Sequence, residues 1–214
     1  NDYNKYLVNV FECATRQPKT LLKELNKLEV QNRQLFETIQ KDMLPLDGNF
    51  KSPDCEVAAK YLYVELQTFS GLTWDKAKYV DLKGKYKSKY NHFIDKLSNQ
   101  KYIRKLNDLD AYNMNWRECI EWFDGKKSFF YIDPPYYNME FYYTQNFDND
   151  QHRQLSDVLW TIKGKFALSY YDFEALKRWY PKDRFRWVTK SFNRQNSSKK
   201  KNTAKGDEIL IMNY

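Results

Sequence analysis

Histidine, cysteine and glycine are the scarce residues of this 214-residue chain. Two histidines, His92 and His152, are too few to suggest a histidine-based metal site. The three cysteines, Cys13, Cys55 and Cys119, stand at no paired spacing. They offer no zinc pattern and fit a reducing cytoplasm. The six glycines (48, 71, 84, 125, 164 and 206) are isolated, and no Gly-x-Gly occurs. No stretch approaches the ~20 apolar residues that span a bilayer, and no secretory signal opens the chain. A chain that starts with Asn1 instead of Met is expected to be the interior of a longer protein or a trimmed one.

What is abundant points elsewhere. Hydrophobic residues at 42% and aromatics at 18% argue against disorder. The length suits one core of ordinary domain size with room for an inserted subdomain. A net charge of +8, with a pI near 9.1, suggests a polyanionic partner. A generally basic soluble protein would show the same charge, so charge alone leaves both readings open.

Apolar spacing predicts helices in the first half. Leu7, Val10, Phe11 and Ala14 recur at helical intervals after the cap cluster Asn1 to Asn4. Pro18 suits the first turn of a second helix carrying Leu21, Leu22, Leu25 and Leu28. Pro45, Gly48 and Pro53 mark a loop, and 54–69 reads as a further helix. Residues 74–90 alternate around Gly84 and are expected to form a basic β-hairpin, followed by a polar helical region over 91–108. From about 109 the pattern turns α/β. Short strands are expected at 109–112, 128–132, 166–170, 185–189 and 209–212. Helices are expected at 116–123, from the cap Asp150 to about Ile162, and at 173–179. A flexible basic loop carries Lys199, Lys200 and Lys201.

The most informative residues are Asp133-Pro134-Pro135-Tyr136, directly after the apolar run Phe129-Phe130-Tyr131-Ile132. Each proline fixes φ and removes a backbone donor, and each biases the residue before it away from the helix. A strand therefore ends on a stiff corner that carries a carboxylate, a carbonyl and an aromatic ring. In open α/β sheets ligands bind outside the carboxyl ends of strands. A planar ring with an amino group could stack on Tyr136 while its NH2 donates to Asp133 and to the Pro134 carbonyl. Methylation of an exocyclic amine requires that arrangement. Isolated from its strand, the tetrapeptide would serve equally as a surface turn.

These residues resemble the Dam-type DNA adenine-N6 methyltransferases. Asn1-Asp2-Tyr3-Asn4 resembles that family's Asn-Asp-x-Asn segment, and Phe69-Ser70-Gly71-Leu72 its Phe-Asn-Gly segment. Phe130 to Tyr136 resembles its catalytic motif, and Glu208 to Tyr214 its closing strand. The catalytic motif is the specific part of the likeness.

The resemblance implies an α/β fold: a Rossmann-like S-adenosylmethionine-dependent methyltransferase sheet with an inserted, mostly helical recognition subdomain. Residues 1–34 and 109–214 would form the catalytic part. Residues 35–108, with the hairpin at 74–90, would form the recognition insert. Asp133, Pro134, Pro135 and Tyr136 would hold a flipped adenine, with Asp133 also beside the cofactor. Asp2 would bind the ribose hydroxyls of S-adenosylmethionine, or serve as a helix N-cap. Asn115-Trp116 stands where the family often has Asp-Phe beside the cofactor adenine, and Trp116 could equally be core. The family's Phe-x-Gly-x-Gly loop is absent from residues 1–214 and is expected upstream of Asn1. This chain alone is accordingly expected to hold S-adenosylmethionine weakly or not at all.

Related cytosine-N4 enzymes usually have Ser at the first motif position, and RNA and protein-glutamine relatives usually have Asn. Asp133 therefore points to adenine in duplex DNA, with an RNA adenine methyltransferase as the near rival. A catalytically incompetent DNA-binding protein or partner subunit is the rival of another class. Tyr86, Lys87, Lys89 and Tyr90 interleave rings and cations as phosphate contact and wedging require. A solvated hairpin face would look the same. Lys199, Lys200 and Lys201 are candidate DNA contacts or simply a mobile loop. No metal is expected, and the target sequence is not legible.

Overall fold

The computed structural model describes residues 1–68, 74–81, 85–137, 147–193 and 205–214, without the side chains of 85–88, 192–193 and 205–206. Its packing divides the chain into two compact units, Asn1–Trp116 and Arg117–Tyr214.

The first unit is helical. Its elements are α1 (Lys5–Arg16), α2 (Pro18–Leu25), α3 (Arg33–Met43), α4 (Cys55–Leu66), α5 (Lys85–Ser98) and α6 (Gln100–Leu106). Short polar side chains start four of them, α1, α3, α4 and α6, because the first backbone N–H groups of a helix have no partner inside it. Asn4 accepts from the amides of Tyr6 and Leu7, Asn32 from Leu35, Asp54 from Glu56 and Val57, and Asn99 from Lys101. Pro18 opens α2, where its missing N–H costs nothing.

Helix α4 is apolar on nearly all sides and packs against α1, α2 and α3. Ala58, Ala59, Tyr63 and Val64 are all but inaccessible there. Leu21, Leu25, Phe36 and Met43 close around them. Each such large apolar side chain contributes roughly 1.5–3 kcal/mol by burial.

Cys13 on α1 and Cys55 at the start of α4 are both buried and meet as free thiols, although nothing in their spacing suggested a pair. Burial, then the neighbouring thiol, pushes the Cys13 pKa upward. Thiolate is the reactive form. Ellman's reagent should therefore leave Cys13 unlabelled in the native protein and label it on unfolding. Equal rates in both states would show that this core opens.

The second unit is a four-stranded sheet in the order β1 (Phe129–Ile132), β2 (Lys165–Tyr171), β4 (Lys205–Met212), β3 (Arg186–Asn193). Helix α7 (Trp116–Phe123) precedes β1. Strands β1 and β2 are parallel and joined through α8 (Asn149–Leu159), while β4 lies antiparallel to both β2 and β3. A parallel pair needs such a crossover connection. Asp148 and Gln151 form a capping box at the start of α8. Phe166, Leu168, Tyr170, Ile209 and Ile211 share one buried face, and Leu155, Leu159, Leu176, Tyr180 and Phe185 complete that core. The short helix α9 (Leu176–Trp179) contributes Leu176. At the entry to β2, a Cβ on Gly164 would come within 2.9 Å of the Ser128 carbonyl oxygen, so only glycine lets the chain approach there.

The mixed α/β class holds, but several elements differ from expectation. Among the described residues of 74–90 the expected hairpin is not seen: Lys85 opens α5, and Tyr79 makes an isolated bridge with Thr68. Tyr90, Phe93, Ile94 and Leu97 repeat at helical spacing and turn toward the core, and that pattern prevails over the local alternation. Residues 109–112 are not a strand. Asp148, not Asp150, caps α8, and β3 and β4 extend further toward each other along the chain than the apolar runs implied. Residues 1–34 share the helical core with parts of 35–108. No helix is long and apolar enough to cross a membrane among the described residues.

Candidate active site

Strand β1 ends at Ile132, and Asp133-Pro134-Pro135-Tyr136 leaves its carboxyl end. The pairing of Tyr131 with Ala167 and Ile132 with Leu168 brings Asp133 level with Ser169 on β2. Ser169 Oγ donates to Asp133 Oδ1 at 2.8 Å. Asp133 is otherwise exposed, while Pro134 behind it is buried. The carboxylate is thus oriented from one side and accessible from the other.

Tyr136 lies half-buried, stacked on Tyr171 with ring centroids 4.2 Å apart and planes 24° from parallel. Its hydroxyl donates to Glu208 Oε1 at 3.3 Å. Glu208 of β4 is the register partner of Tyr171 of β2, so two strands place both contacts. Burial raises the Tyr136 pKa, and the Asp133 and Glu208 carboxylates raise it further. The phenol stays a neutral ring and donor at physiological pH. Next to it Tyr137 stacks on Phe173 at 4.4 Å. Beneath, fully buried His152 shares a 2.7 Å hydrogen bond between its Nδ1 and the Tyr170 hydroxyl.

The first unit gathers a second set. Asn1 and Met114 exchange two 3.1 Å hydrogen bonds, the Asp2 amide donates to the Tyr112 carbonyl, and Asn113 donates to the carbonyls of Asp2 and Tyr3. Asp2 therefore lies beside the segment carrying exposed Asn115 and half-buried Trp116, more than a hundred residues along the chain. Asp2 is not the helix cap. Asn4 caps α1, and Asp2 Oδ1 accepts from the Asn4 amide at 2.7 Å.

The expected DNA contacts fare differently. Lys89 is exposed on α5. Tyr90 is 3% exposed, and its hydroxyl donates to the Leu25 carbonyl at 2.6 Å, so it is a core residue and not a DNA contact. The side chains of Tyr86 and Lys87, residues 199–201 with their three lysines, and Phe69 to Leu72 lie outside the described residues.

Ser169, Tyr171, Glu208 and His152 were not foreseen. The signal available for Ser169 was a lone hydroxyl inside the apolar run 166–170, but its partner follows only from strand register. Among the described residues no three His, Cys, Asp or Glu side chains converge as a metal site would need.

A family model described as D12 class N6 adenine-specific DNA methyltransferase matches residues 1–196. A search among curated proteins finds no match.

Proposed function

The chain belongs to the D12 class N6 adenine-specific DNA methyltransferases, and from that premise we propose that Asp133 to Tyr136 bind a flipped adenine of duplex DNA and activate its N6 for methylation. The observation that carries this reading is the strand-end corner itself. It holds an accessible carboxylate, fixed by Ser169, next to the Pro134 carbonyl and a stacked, neutral Tyr136. We assign the sheet to a Rossmann-like methyltransferase fold, on the support of its parallel β1–β2 pair and antiparallel β4. By function, residues 1–34 and 109–214 serve catalysis and 35–108 target recognition, a division that cuts across the compact units.

The amine lone pair of adenine is delocalised into the ring and nucleophilic only weakly. Two acceptors, Asp133 and the Pro134 carbonyl, each accept a hydrogen bond from the N6 amino group and favour a tetrahedral nitrogen whose lone pair points outward. Positive charge grows on that nitrogen as it attacks, and a carboxylate already in place stabilises it without reorganisation. One face of Tyr136 is taken by Tyr171, and the extruded base stacks on the other, which offsets part of the cost of leaving the duplex. Pro135 keeps the ring and the carboxylate at a fixed separation.

S-adenosylmethionine supplies an electrophilic methyl group on a sulfonium sulfur. Asp2 would hold the ribose of that donor and Trp116, with Asn115, its adenine. Holding both reactants in place removes much of the entropic barrier. We assign the reaction to the cytoplasm, on the support of three cysteines that stand at no paired spacing.

The test incubates the whole protein with S-adenosylmethionine and duplex DNA, then digests the DNA for mass spectrometry. N6-methyldeoxyadenosine is expected. Duplex binding without any methylated adenine would overturn the reading in favour of a binding protein. Methyl incorporation into RNA alone would replace the substrate.

A further inference from the structure

A histidine and a tyrosine hydroxyl share a hydrogen bond inside the sheet unit, and the methylation chemistry uses neither. His152 lies in the first turn of α8 and is fully buried. Its Nδ1 stands 2.7 Å from the hydroxyl of Tyr170, which is fully buried on β2. The imidazole meets two further rings. Tyr137 lies 5.4 Å from it, centre to centre, and Phe147 meets it edge to face at 4.7 Å. Tyr137 directly follows Asp133-Pro134-Pro135-Tyr136, and Phe147 directly precedes Asp148, the cap of α8. One ring thus contacts the chain where it leaves the strand-end corner and where it enters the next helix.

Strand β2 ties this pair to the corner. Its residues 169–171 act in turn: Ser169 Oγ donates to Asp133, Tyr170 bonds His152, and Tyr171 stacks on Tyr136. Successive strand residues point to opposite faces, so Tyr170 is fastened on the face opposite Ser169 and Tyr171. A buried hydrogen-bonded pair adds little net stability, and two apolar residues of the same shape could replace it at small cost. An apolar pair would not supply direction. A hydrogen bond tolerates only a narrow range of distance and angle, so it fixes the plane of the imidazole that Tyr137 and Phe147 rest on.

We propose that His152, held by Tyr170, is a positioning residue for methyl transfer: it fixes Tyr137 and, through it, the Tyr136 ring and the Asp133 carboxylate. The role rests on the adenine-methylation reading. Tyr137 is seated on two rings, stacked on Phe173 at 4.4 Å and tilted against His152. Between Tyr137 and Asp133 lie two prolines with fixed φ, so a shift of Tyr137 passes along the corner instead of being absorbed. A displacement of about 1 Å near the reacting groups can cost about a hundredfold in rate. Fully buried, His152 acts through Tyr137 and touches neither the base nor the donor.

The experiment uses the full chain and a double change, His152→Leu with Tyr170→Phe, which removes both polar groups together. Its urea midpoint should stay close to wild type, because neither group is left without the other. Single-turnover methyl transfer from S-adenosylmethionine to unmethylated plasmid DNA should nonetheless fall by roughly tenfold to a hundredfold. The DNA concentration for half-maximal rate should not change. A purely structural pair would regain its rate along with its stability. The second readout needs no activity. Fluorotyrosine in place of Tyr136 should give one narrow fluorine resonance in the otherwise wild-type chain and a broadened or doubled one in the double variant. Should the double variant fail to fold, Tyr170→Phe alone, which keeps every ring, should show the same slowing and the same change of resonance. A rate equal to wild type overturns the inference, and so does an unchanged resonance. If the wild-type chain transfers no methyl group, the methylation reading has failed, and the resonance still decides whether His152 fixes the corner.

Discussion

Asp133→Ala is expected to slow methyl transfer by about a hundredfold or more, the scale for losing one preorganised polar partner of a transition state. Single-turnover assays with a labelled methyl donor isolate that step. Duplex affinity should change far less, because the carboxylate meets a single amine of the duplex. Asp133→Asn, which keeps the shape but loses the negative charge, should remain impaired. Ser169→Ala should produce a smaller loss. Its hydroxyl acts through Asp133 by fixing one oxygen at 2.8 Å, so it is a positioning residue. Its mark would be a lower kcat at an unaltered KM, partly restored by Ser169→Thr. Near wild-type turnover by Asp133→Ala would remove the carboxylate from the chemistry and sink the mechanism.

The part of this site that was legible in the sequence is the part encoded locally. A run of apolar residues followed by Asp-Pro-Pro-Tyr states both a strand and its end, since proline cannot continue the ladder. Asp2 and Asn115-Trp116 were legible only through resemblance. Their juxtaposition depends on hydrogen bonds between Asn1 and Met114 and between Asn113 and Asp2, which no local pattern encodes. Ser169, Tyr171 and Glu208 were illegible for a related reason. They reach Asp133 and Tyr136 through strand register, and β2 pairs with β4 across some forty residues.

The hairpin at 74–90 failed for a different cause. Lys85-Tyr86-Lys87 alternates over three residues, but Tyr90, Phe93, Ile94 and Leu97 sustain a longer period, and burial follows the longer pattern. The misreading moved Tyr90 from the core to the DNA.

Asn9 was missed entirely, and its replacement should cost the most stability of any polar change in the first unit. It sits within α1, fully buried. Its Nδ2 donates to the Asp54 carbonyl at 2.8 Å, and its Oδ1 accepts from the Asp54 amide at 2.7 Å and from Ser52 Oγ at 3.0 Å. One amide side chain thus satisfies both backbone groups of the residue that caps α4. It ties the middle of α1 to the start of the helix at the centre of the core. Asn9→Ala leaves the Asp54 amide without its partner, while the Asp54 carbonyl keeps the Ala58 amide, and an unmade bond to a buried group costs roughly 1–3 kcal/mol. A loss of about 1–3 kcal/mol is expected, which for a chain of this size lowers Tm by roughly 2–12 °C. Asn9→Asp should not rescue it, because a carboxylate accepts but cannot donate to the Asp54 carbonyl, and it would bring a charge into the core. Urea unfolding followed by far-ultraviolet circular dichroism reports the helical unit directly, and earlier labelling of Cys13 should accompany the loss. A change below about 0.5 kcal/mol, the range of an ordinary surface substitution, would mean that the α1–α4 contact is held by its apolar packing alone and that Asn9 is a bystander in it.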